Sequence, residues 1–69
     1  MNPELMKLEP KQPAEFTNPT VRIEYYQTRI VWAAQVSKTA TQQGKMACAS
    51  DIRYSEAMIR FAQAELTAK

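Results

Sequence analysis

Four arginines carry the clearest chemical signal in this chain of 69 residues. They form two pairs, Arg22 with Arg29 and Arg53 with Arg60, and a separation of seven residues puts both members of a pair on one face of a helix, two turns apart. A guanidinium stays charged at any ordinary pH and grips carboxylates or phosphates with a planar fork of donors. Arg22 and Arg29 sit in a broadly apolar stretch. Burying them alone would be costly, so each must find a carboxylate, carbonyls, a phosphate or an open edge. Both are read first as lying over neighbouring aromatics with their heads in water, and second as contacts with a partner subunit. Arg53 and Arg60 are expected either as solvated helix residues, with Glu56 four positions before Arg60 in the favourable order, or as contacts to phosphate or an acidic partner.

The remaining inventory does not assemble a catalytic set. Histidine, the commonest general base, is absent, and Asp51 and Glu56 are five residues apart, a spacing that does not stack them on one helical face. Cys48 is the only cysteine. It can form no intrachain disulfide, has no histidine to activate it, and is read as a small buried hydrophobe. One glycine, Gly44, cannot build a phosphate-binding loop, and the usual zinc ligand sets cannot be drawn from these residues. No catalytic residue, metal or cofactor is implied, and the chain is expected not to be an enzyme.

Proline placement divides the sequence. Pro3, Pro10, Pro13 and Pro19 all fall in the first nineteen residues, and none follows. Residues 1–18 therefore read as an extended arm and residues 19–69 as a body free to be helical. The arm carries Leu5, Met6, Leu8 and Phe16, more large apolar side chains than disordered tails usually have, and is read either as a flexible tail or as a peptide that lies along a partner and inserts those four side chains.

The body is expected to be all-α. Asn18 is a good cap, Pro19 suits the first helical position, and apolar periodicity begins at Val21, so a helix is predicted over about 19–41. Its apolar arc exceeds half the wheel. Trp32 and Tyr25 are assigned to the core, and Tyr26, displaced around the helix from Trp32, to an interface. Gly44 is read as the terminator, with a turn near 42–49, and Ser50 or Asp51 as the cap of a second helix over about 50–67. Ile52, Tyr54, Met58, Ile59, Phe61, Ala62 and Leu66 are assigned to one side of that helix, and Met46 and Met58 to packing. The rival is one long helix, because a 3.5-residue rhythm runs unbroken through positions 23 to 68. Ser37, Gly44 and Asp51 fall on that seam without contributing apolar burial, which favours the antiparallel hairpin.

Net charge is +2, with the arm's two lysines outnumbered by three glutamates, too even a balance to mark a polyanion binder. The start of the chain has no apolar run of signal-peptide length, and no stretch approaches the twenty or so apolar residues of a membrane span. A cytoplasmic or particle-associated location is expected, without secretion through a cleaved signal. A body this small, with an apolar arc this wide and no disulfide, is expected to gain stability from other chains. The function these features suggest is a small structural or assembly protein docking into a homo- or hetero-oligomeric particle, such as a virion or phage component. The alternative is a small regulator or inhibitor of a larger protein or of nucleic acid.

Overall fold

The computed structural model of the protein describes residues 9–68. Two helices, α1 (Pro19–Lys38) and α2 (Gln42–Thr67), pack against each other as an antiparallel hairpin, with no strand among the described residues. Leu5, Met6 and Leu8 of the predicted arm lie outside the described residues.

Both helix starts are set by side chains that take up amides the helix itself leaves without partners. Asn18, in extended backbone geometry, accepts from the Thr20 amide through Oδ1 at 2.9 Å, and Pro19 occupies the first helical position, where a missing N–H costs nothing. The Arg22 amide closes the first turn onto the Asn18 carbonyl at 3.0 Å. Thr41 does the same for α2: its Oγ1 accepts from the Gly44 amide at 3.2 Å, and its carbonyl accepts from Lys45 at 2.8 Å. Helix α1 ends in tightened bonds, Thr39 to the Val36 carbonyl and Ala40 to Ser37, each 3.3 Å, with Lys38 in the last turn favourably placed for the helix dipole.

The connection is therefore residues 39–41. Residues 42–49, expected as a turn, form the opening turns of α2, and neither Ser50 nor Asp51 is a cap. Gly44 does not end a helix. Among the described residues no residue has positive φ, so the conformational freedom of glycine is not used, and Gly44 sits as the third residue of α2. A threonine hydroxyl competing for an early helical amide outweighs the weak helix propensity of a single glycine. Gly44→Ala should accordingly raise stability by about 0.5–1 kcal/mol, read from chemical denaturation. A left-handed glycine at that position would give the opposite sign.

The seam between the helices is lined by small side chains. Ala33 and Val36 of α1 meet Cys48 of α2, with Trp32 and Ile52 packed against them, and Ser55 and Ala62 are also buried. Cys48, Ser55 and Ala62 recur every seven residues, so one narrow stripe of α2 faces α1 over about four turns. Small residues at each of these positions let the helix axes approach closely. Cys48 is buried, as a small hydrophobe should be. Met46 is 63% exposed, contrary to its assignment to packing, because it lies on the side of α2 away from that stripe.

The described part of the arm doubles back along α1. Residues 14–17 form a turn, closed by the Asn18 amide on the Glu15 carbonyl at 3.0 Å. Pro10, Lys11 and Pro13 then line an open groove of about 300 Å³ with Val21, Glu24, Tyr25 and Thr28 of α1. The prolines keep this segment extended and out of the helix it lies on.

Candidate functional site: charge hubs and the outer face of α2

Arg29 ties the three parts of the fold together. Its Nε donates to Asp51 Oδ1 of α2 at 2.9 Å, and its Nη1 donates to Glu9 Oε1 of the arm and to the Tyr25 hydroxyl of α1, each at 3.3 Å. The guanidinium carbon also lies 5.4 Å from the centre of the Trp32 ring, within cation–π range. Both the Arg29 and Asp51 side chains are only 21% exposed. The hydrogen bond to Asp51 holds the Arg29 guanidinium even more firmly protonated than usual, against the opposing effect of burial. Arg22 pairs with Glu65 near the far end of α2. Read as solvated or as reaching another subunit, Arg22 and Arg29 instead find their carboxylates across the hairpin. Antiparallel register brings residues 22 and 65 together, and no local pattern reveals that pairing.

Four aromatic rings cluster where the arm's turn meets the two helices. Phe16 meets Tyr25 and Tyr26 at centroid distances of 5.2 and 5.8 Å, Tyr25 meets Tyr26 at 5.0 Å, and Tyr26 meets Tyr54 of α2 at 6.2 Å, all edge-on. Phe16, read with the arm as free or as inserting into a partner, packs on its own α1. Tyr26, expected as an interface anchor, is 7% exposed, whereas Tyr25 and Trp32, assigned to the core, are only partly buried. The direction from which α2 docks decides this order.

Burial pushes the Tyr26 phenol above its ordinary 10.0, with Tyr54 and Tyr25 nearby adding to the shift. The folded chain thus keeps the Tyr26 proton longer than the unfolded chain does. Its contribution to stability is complete below the ordinary phenol range and is lost as pH rises through the folded value. Urea midpoints between about pH 9 and 11 should fall more steeply for the wild type than for Tyr26→Phe. Parallel curves for the two would remove Tyr26 as the cause.

The second arginine pair behaves differently from the first. Arg53 and Arg60 are exposed and make no ion pair among the described residues. Beside them Tyr54 and Phe61 are 59% and 63% exposed, although both were assigned to the packed side of the helix. A seven-residue step separates them by about 10.5 Å along the axis. Ser50, Ala57 and Ala64, at the same spacing, lie between the aromatic and arginine rows by helical angle. The apolar surface of α2 therefore continues from the seam closed by α1 onto an open flank, with Tyr54 at the boundary against Tyr26. The 3.5-residue rhythm that contains Tyr54 and Phe61 also contains Asp51 and Glu65, which bond to α1, so in α2 it follows the edge of the seam and does not single out the open flank.

Among the described residues no three His, Cys, Asp or Glu side chains gather where a metal ion would sit. No described helix is long and apolar enough to cross a membrane. No protein-family model matches the chain, and no curated protein or solved structure is detectably similar to it.

Proposed function

We propose that this chain is a small non-enzymatic assembly protein that contributes the outer face of α2 to a larger complex, as fittings of viral or phage particles do. The observation that carries this reading is the exposure of Tyr54 and Phe61 on the flank of a helix whose buried stripe already holds the hairpin together, Tyr54 touching Tyr26 of α1 with one edge of its ring. Large aromatics at fixed helical spacing are the usual anchors of a protein interface, and an open row of them is costly without a purpose. Of the arm, Pro10, Lys11, Pro13 and Phe16 lie against α1, while Leu5, Met6 and Leu8, which carry most of its expected role, lie outside the described residues. With only small residues at most seam positions, the isolated hairpin buries little apolar area, which fits a component that is stable mainly in its assembly. The inventory without histidine and with a buried thiol supports a binding role over catalysis. A cytoplasmic or particle-bound setting suits a lone reduced thiol.

The test compares the wild type with a Tyr54→Ser/Phe61→Ser variant. The wild type should bind a hydrophobic fluorescent dye, and the variant should lose that binding while keeping its helicity. A wild-type chain that ignores the dye and matches the variant contradicts the proposal.

A further inference from the structure

Resting on that reading of the α2 outer face, we infer that its occupant is an amphipathic helix of another protein carrying carboxylates along one edge. The hairpin contains its own precedent. In α1 an arginine pair seven residues apart, Arg22 and Arg29, is followed four positions later by the buried residues Tyr26 and Ala33, and the helix seated there supplies Glu65 and Asp51. In α2 the arrangement recurs: Arg53 and Arg60 are followed four positions later by Ala57, which is half-buried, and Ala64, which is exposed, and no described helix is seated there. An apolar row edged by two guanidinium groups without carboxylate partners among the described residues is complementary to an apolar row edged by acids. The small residues Ser50, Ala57 and Ala64 leave a shallow trough between the aromatic and arginine rows, and such a trough suits a helical ridge.

A second copy of this chain fits the face poorly. When two identical helices pack antiparallel about a two-fold axis, like edges meet, so Arg53 and Arg60 of one copy would lie against the same pair of the other. The acids of α2 cannot offset this, because Asp51 and Glu65 are already bonded to α1 and only Glu56 has no ion pair among the described residues. Single-stranded nucleic acid would use the same aromatics and arginines. Two exposed guanidinium groups and a nearly even charge balance make a weak phosphate track, and bases have no need of the alanine trough.

The experiment titrates the full chain with a synthetic helical peptide of about three heptads, bearing a Leu/Ala row and glutamates along one edge. The same peptide with lysine for glutamate and a single-stranded oligonucleotide serve as competitors, and amide shifts are followed by NMR. The inference expects the glutamate peptide to shift Tyr54, Ala57, Phe61 and Ala64. It expects Arg53→Glu/Arg60→Glu to weaken that binding by about fivefold or more and to transfer preference to the lysine peptide. Equal binding of both peptides, preferential binding of the oligonucleotide, occupation of the face by a second copy, or no binding overturns it. Phe61→Ser separates the two levels of the argument. If it abolishes binding that the charge reversal leaves untouched, the face docks a helix but not an acidic one, whereas indifference to both substitutions sinks the assembly reading as well.

Discussion

Leucine in place of Ser55 is expected to destabilise the hairpin by about 3 kcal/mol or to prevent its folding, because the side chain is fully buried at the middle of the stripe formed with Cys48 and Ala62. For a domain of this size such a loss lowers the melting temperature by more than about 10 °C. Alanine should do the reverse. Among the described residues the buried Ser55 hydroxyl has no hydrogen-bond partner, a state that costs about 1–3 kcal/mol, so Ser55→Ala is expected to be neutral or to stabilise by up to about 1 kcal/mol. Thermal and urea unfolding followed by circular dichroism measures both. A leucine variant as stable as the wild type would show that the helices do not approach closely at this point.

Removal of the Arg29 charge, in Arg29→Met, is expected to cost about 2 kcal/mol. Methionine keeps much of the stem's packing but leaves Asp51 largely desolvated without its cation and frees Glu9 of the arm. Side chains that are each about one-fifth exposed keep this value below the 3–5 kcal/mol of a fully buried pair. Since the guanidinium rests on Trp32, the emission of that ring should change along with stability. A double-mutant cycle with Asp51→Asn should give a coupling of about 1 kcal/mol or more, whereas additive effects would mean that the bond does not tie the helices together.

What could be read in the residues alone was what depends on neighbours in sequence. The start of α1 is such a feature, since Asn18 and Pro19 act on amides within one turn, and so is the choice of a hairpin over one long helix. The turn was misplaced because glycine is a conspicuous breaker and threonine an inconspicuous one. Gly44 drew the boundary toward itself, while the hydroxyl that caps α2 belongs to Thr41. The faces of α2 were misassigned for a related reason. Ranking by hydrophobicity places Tyr54 and Phe61 inward, but the buried stripe is built from Cys48, Ser55 and Ala62, residues selected for size. The carboxylates that receive Arg22 and Arg29 depend on helix register and lie far away in sequence, so chemistry alone gave the need for a partner and not its address. Arg53 and Arg60 were legible as a pair, but the open apolar face beside them became visible only when α1 was seen to occupy the other one.

The central claim is that α2 has a closed seam and an open flank, and thiol accessibility in Phe61→Cys tests it most directly. The variant holds two thiols, the native Cys48 in the seam and the new one on the outer face. The account predicts that one thiol reacts immediately with a small reagent and maps to position 61, while Cys48 reacts only as fast as the hairpin opens. Prompt labelling of Cys48, or protection of position 61 in a folded monomer, would contradict it.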